Sequence, residues 1–128
     1  MVVVFSCSKT YNKNVEYDFN RCLNIIDEFN NYEGDIDITD TIRGKLFFAT
    51  EYLQKMTGIE GQSVVFAEIP VYYERKDCLN DIQKWKDWFD KNKYKLTSQY
   101  NDSIKKSIVR DKIWWEDSSI LNIVFTNE

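Results

Sequence analysis

A chain of 128 residues, 43% hydrophobic and 16% aromatic, is long enough for one domain with one core. Its formal net charge of −4 argues against a general nucleic-acid binder, and no apolar run approaches the ~18 residues of a membrane helix. It has no histidine, which removes the commonest general base, the histidine-dependent triads and most zinc chemistry.

The opening Met-Val-Val-Val-Phe-Ser-Cys-Ser sets Cys7 behind a short apolar run and a small residue. A lipoprotein signal has this arrangement: an apolar segment holds the chain in the bilayer and the thiol accepts the acyl group. The run is shorter than the roughly 7–15 apolar residues of a full signal, and no Lys or Arg precedes it. Two readings stay open. Residues 1–14 are a leader remnant and polar tether with Cys7 as the lipidation site, or Val2–Phe5 is a first strand. Residues 15–128 read as a single helical domain.

Val15 to about Tyr32 is the clearest helix. Val15, Phe19, Cys22, Leu23, Ile26 and Phe29 share one face at helical spacing. Gly34 suits the stop that follows. A second helix should start at Thr39–Asp40, a pair able to cap exposed backbone N–H groups, and run to Thr57 with Gly58 as its C′ residue. Ile42, Leu46, Ala49, Leu53 and Met56 form its core stripe. Phe47 falls on the other side, so this helix either packs on two neighbours or offers Phe47 to a partner. Val64–Phe66 and Val71–Tyr73 are β-prone. Pro70 between them cannot donate to a ladder, which implies an edge strand or an extended crossover.

Asp77 is placed to cap a third helix running to about Lys93. Its inward face would carry Leu79, Ile82, Trp85, Phe89 and Leu96, with Trp88 at the margin. Asn92 lies within that stripe and should bond to backbone near the helix end. Asp102–Trp115 reads as helical, with Ile104, Ile108 and Trp115 inward. Ile120–Phe125 reads as a terminal strand, beside Val2–Phe5 or Val64–Phe66.

Chemistry is sparse. Cys7, Cys22 and Cys78 have no zinc-site spacing; burial as free thiols is the expectation for Cys22 and Cys78, and a disulfide between them in an oxidising compartment is the alternative. The four glycines form no phosphate loop. The acidic stretch Glu33–Asp40, with Asp35, Asp37 and Asp40, lacks the spacing of a calcium loop, and its acids instead suit the positive N-terminus of the second helix. Trp85, Trp88 and Tyr94 are interleaved with Lys84, Lys86, Lys91, Lys93 and Lys95, which reads as a core side and a solvated side. Trp88 is the exception to watch, because tryptophan is enriched at binding hot spots. Charge is uneven: residues 1–74 carry 12 acids and 6 bases, residues 75–128 carry 9 acids and 11 bases.

Trp85-Lys-Asp-Trp88-Phe89-Asp-Lys-Asn92-Lys-Tyr-Lys-Leu96 resembles a W-x-x-W-[YFW]-x-x-N-x-x-x-L helix of small, HEAT-like bacterial lipoprotein-type proteins of unknown function. Leu53-Gln-Lys-Met56-Thr57-Gly58-Ile59 is similar to a helix ending in the same group. The resemblance covers roughly residues 40–97. It implies a helical fold and an extracytoplasmic location, not a reaction.

The expectation is a mostly α chain of antiparallel amphipathic helices, HEAT-like or a small bundle, with a short extended segment. The alternative is an α+β domain with a small sheet built from the two termini. The functional expectation is a non-enzymatic protein-interaction domain, an extracytoplasmic lipoprotein with a protein partner, no cofactor and no metal. Membrane contact comes only through Cys7. Candidate partner-binding residues are Phe47, Trp88, Asp35, Asp37 and Asp40. A small acidic immunity-type inhibitor of a toxin or enzyme is the second reading, and a carboxylate- or cation-dependent enzyme the third. Without Cys7 lipidation the chain would be cytoplasmic.

Overall fold

In the computed structural model, which describes residues 10–31, 37–66, 68–111 and 119–125, the first helix starts at an asparagine cap. The Asn12 side chain accepts from the backbone N–H of Asn14 and Val15, at 2.9 and 3.2 Å. These are two of the donors that a helix start leaves orphaned. Helix α1 spans Lys13–Asn30. Lys13 and Asn14, expected in a tether, are thus its first turn. Asn12 Nδ2 also donates to Ser98 Oγ at 2.6 Å, tying this start to a distant part of the chain. Val2–Phe5, Gly34 and Trp115 lie outside the described residues.

Helix α2 spans Asp40–Thr57, as its capping residues foretold. Thr39 accepts from Ile42 N at 3.1 Å. Gly58 closes the other end at φ 72°, a left-handed conformation that costs glycine nothing. Strands β1 (Val64–Phe66) and β2 (Ile69–Val71) then form an antiparallel hairpin with Val65 opposite Pro70. Pro70 therefore sits in a two-stranded sheet, as a donor-less residue requires.

Helix α3 spans Arg75–Asn92 and begins two residues before Asp77. Its N-cap is Glu74, whose side chain makes no capping bond, so the expected Asp77 cap is not formed. The inward face is Cys78, Ile82, Trp85 and Phe89, joined by Asp81. Leu79, expected inside, is 47% exposed. The helix is turned toward the buried bonds of Asp81, and that rotation carries Leu79 outward. Asn92 Nδ2 donates to Trp88 O at 2.8 Å, the backbone bond its position demanded. After a 3₁₀ turn at Lys93–Lys95, helix α4 spans Ser98–Asp111, with Ile108 buried and Ile104 partly so.

Ser119–Phe125 is a helix, α5, not the terminal strand expected for Ile120–Phe125. Ile120 and Val124, four residues apart, are the buried pair. A strand would have set the polar Asn122 on the same side as both of them. Arg21 Nε donates to Val124 O at 2.8 Å, satisfying a carbonyl that the helix end leaves unpaired. With α5 helical, the sheet built from the termini loses its C-terminal strand.

The chain is mostly helical, with a small two-stranded sheet among the described residues. Helix α2 is the hub, and α1, α3, α4, α5 and β2 all pack on it. Phe19, Phe48, Tyr52, Leu53 and Trp85 have no exposed surface. Trp85 Nε1 donates to Ile59 O at 3.1 Å, so the indole is buried without leaving its N–H unpaired.

Two polar clusters penetrate this interior. Tyr52 OH donates to Asn101 Oδ1 at 2.5 Å, and Asn101 Nδ2 donates to Asp18 Oδ2 at 2.8 Å. Lys105 closes an ion pair on the same carboxylate and lies 4.4 Å from the centre of the Phe125 ring. In the other cluster, Asp81 Oδ2 accepts from Gln62 N at 2.6 Å and Tyr72 OH at 2.7 Å. Gly61 is fixed by this packing: a Cβ there would lie 2.7 Å from Asp81 Oδ2 and 3.1 Å from the Trp85 ring.

Candidate functional site: a groove between helix α2, the hairpin and helix α5

Because α2 is amphipathic more than halfway round, its residues outside the core stripe need cover as well. The start of α5 and the hairpin supply it only in part. Between them lies a groove of about 620 Å³. Gly44, Phe47, Val65, Ile120 and Ile123 contribute its apolar lining, and Asp40, Arg43 and Glu68 its charges. Gly44, on the α2 side, carries no side chain to fill the space. Val65 and Phe66 on β1 are 69% and 68% exposed. Val65 brings its exposed side chain to the groove, whereas Phe66, the next residue on the strand, faces the opposite side.

The charges are arranged around one guanidinium. Arg43 Nη1 bonds Asp40 Oδ1 at 2.6 Å, and Nε lies 3.7 Å from Glu68 Oε2. The Asp40 and Glu68 side chains are 95% and 82% exposed, whereas Arg43 is mostly covered. The side of the groove facing solvent is therefore acidic. Arg43 Nε is buried and finds no hydrogen-bond acceptor among the described residues. Glu68 turns the hairpin at φ 66°, a left-handed conformation that carries its carboxylate to the rim.

The chain matches no family model, no curated protein and no solved structure.

The sequence candidates separate in space. Phe47 and Asp40 line the groove. Asp37 is exposed three residues ahead of Asp40. Trp88 is not among the lining residues; it is half-buried and stacks on Phe19, with ring centres 6.4 Å apart and planes at 14°. Asp35 and Cys7 lie outside the described residues. Sequence reasoning missed Val65, Glu68, Ile120 and Ile123. The last two were assigned to a strand, and nothing local to Val65 or Glu68 shows that a hairpin brings them to α2. Among the described residues, no three His, Cys, Asp or Glu side chains gather as a metal site, and no helix is long and apolar enough to cross a membrane.

The two thiols within the described residues are buried and unpaired with each other. Burial, aided by the nearby Asp18 carboxylate, pushes the Cys22 thiol well up. Burial pushes Cys78 up to about 11, against the opposing pull of Arg75. Neither is a thiolate nucleophile near neutral pH. Burial likewise raises the Tyr52 and Tyr72 phenols, with the Asp81 hydrogen bond adding to the effect at Tyr72. All four are acids with folded pKa above unfolded. Their support of the fold is complete below the unfolded value, ~8.5 for cysteine, and is lost as pH rises toward the folded one. Thermal melts should show Tm falling from about pH 9 upward. The fall should be shallower in Cys78→Ala. A Tm that holds level to about pH 11 would contradict this.

Proposed function

We propose that this chain is a non-enzymatic protein-interaction domain that takes an apolar segment of a partner protein into the groove between α2, the hairpin and α5. The observation that carries the proposal is the apolar surface of Val65 and Ile123 left open beside Phe47 and Ile120. Fully burying a side chain such as Val or Ile contributes roughly 1.5–3 kcal/mol, so a few of these residues suffice for specific binding. Asp18, Asp81, Cys22 and Cys78 are withdrawn into the core. Their geometry supports packing roles rather than chemistry on a substrate.

The acidic rim favours one second reading, a small acidic immunity-type inhibitor whose target presents basic groups. Asp40 and Glu68 line that rim with exposed side chains, and Asp37, three residues before Asp40, is exposed as well. An extracytoplasmic lipoprotein location belongs to the proposal through Cys7 alone, and acyl labelling of Cys7 is its test.

The interaction proposal is tested by capture with the intact chain and with a Val65→Lys, Ile123→Lys variant. Both sites are exposed, so the variant should keep its circular dichroism and melting temperature. A specific partner should be captured by the parent chain, be lost from the variant, and be released by added salt. Equal capture by the two proteins would rule the groove out.

A further inference from the structure

We propose that the groove receives its partner by strand addition, with an extended segment of alternating apolar and basic residues pairing along the outer edge of β1. This rests on the interaction-domain reading above and adds the backbone geometry and the charge of the occupant.

The hairpin register fixes which way the edge groups of β1 point. In an antiparallel ladder, hydrogen-bonded and non-hydrogen-bonded pairs alternate. The pairs are Val64 with Val71, Val65 with Pro70, and Phe66 with Ile69. Pro70 has no N–H, so Val65–Pro70 is the non-bonded pair, and its two neighbours carry the ladder. The N–H and C=O of Val65 therefore point away from β2. Val65 is 69% exposed, and its side chain lines the groove. An apolar edge of this kind is a template for another strand. A segment laid there would alternate its side chains, with one set reaching Phe47 and Ile123 and the other facing solvent.

Charge selects the occupant. Arg43 is engaged by both Asp40 and Glu68, whose side chains remain largely exposed. The rim thus presents net negative charge to an incoming strand. Lysine or arginine on that strand is attracted. A second copy of this chain would bring the same acidic rim and a net charge of −4, and is repelled.

The test uses the intact, isotope-labelled chain and three short synthetic peptides. One alternates valine and lysine, one is the same peptide N-methylated on its edge-facing amides, and one alternates valine and glutamate. The valine–lysine peptide is expected to shift the signals of Phe47, Ile123 and the Val65 amide, and to protect that amide from hydrogen exchange. N-methylation should weaken binding about tenfold or more through loss of backbone bonds. Val65→Pro should do the same while keeping the hairpin, because the N–H it removes does not serve the ladder. Glutamate in place of lysine should also weaken binding. If the N-methylated peptide or Val65→Pro binds as well as the parent pair, strand addition is wrong and the groove reading survives. If no peptide moves Phe47 or Ile123, both fall. Equal binding of the glutamate peptide overturns the charge assignment. Self-association that protects Val65 without peptide overturns the choice of occupant in favour of a second copy.

Discussion

Replacing Asp18 with alanine is expected to lower the unfolding free energy by about 3–5 kcal/mol. The Asp18 carboxylate is buried in α1 and is the convergence point of α1, α2 and α4. Asn101 donates to it, Tyr52 donates to Asn101, and Lys105 pairs with it. Removing it strands the mostly covered ammonium of Lys105 and leaves Asn101 Nδ2 without an acceptor. The cost of truncating one partner exceeds the net value of the pair, because the other charge stays buried without compensation. The double variant Asp18→Leu, Lys105→Met should therefore recover part of the loss, since two apolar side chains replace two desolvated charges. It should not recover all of it, because Asn101 still lacks its acceptor. Urea unfolding of the three proteins measures each quantity. A single-variant loss below about 1 kcal/mol would mean that Lys105 escapes to water when Asp18 is removed.

The helices were readable where local signals and tertiary packing agree. For α2, a cap at Thr39, a 3.6-residue stripe and a stop at Gly58 all mark the same boundaries, and the observed helix obeys them. For α3 the stripe was correct at Ile82, Trp85 and Phe89 but wrong at Leu79. Nothing in the sequence shows that Asp81 is buried by Gln62 N and Tyr72 OH, and those bonds set the rotation of the helix. The α5 segment failed for another reason. Ile-Leu-Asn-Ile-Val-Phe is short, apolar and rich in β-branched residues, so periodicity alone cannot separate strand from helix. The neighbours decide it: Val124 O is taken by Arg21, and Phe125 packs edge-on against Phe48, with ring centres 5.5 Å apart.

The candidate groove was half legible. Phe47 stood out as an aromatic residue on the wrong side of its helix, and Asp40 as an acid at a helix start. Both line the groove. The other wall comes from Val65, Glu68, Ile120 and Ile123, which are brought to α2 by long-range contacts that no local pattern encodes. Trp88 drew attention for its residue type alone. Its stacking on Phe19 shows that half-burial against the core accounts for a tryptophan at the margin of a stripe.

The two tryptophans of the W-x-x-W segment should differ sharply on truncation, and that difference tests whether the segment is a packing signature. Trp85→Ala is expected to cost about 3–5 kcal/mol, through lost burial and the cavity that remains. The site cannot close easily. Gly61, Asp81 and Ile59 surround the indole, and Asp81 is itself fixed by Gln62 and Tyr72. Ile59 O would also lose its donor, which adds to the cost. The corresponding fall in Tm is roughly 10–20 °C for a domain of this size. Trp85→Phe keeps most of the ring and loses the N–H, so it should fall between the parent and Trp85→Ala. Trp88→Ala should cost only about 1–2 kcal/mol, because a half-buried ring gives up less surface and opens no closed cavity. Equal losses at the two positions would contradict the inward placement of Trp85 alone. A larger loss at Trp88 would mean that the Phe19 stack, rather than the indole beneath Gly61, anchors α3 to the rest of the domain.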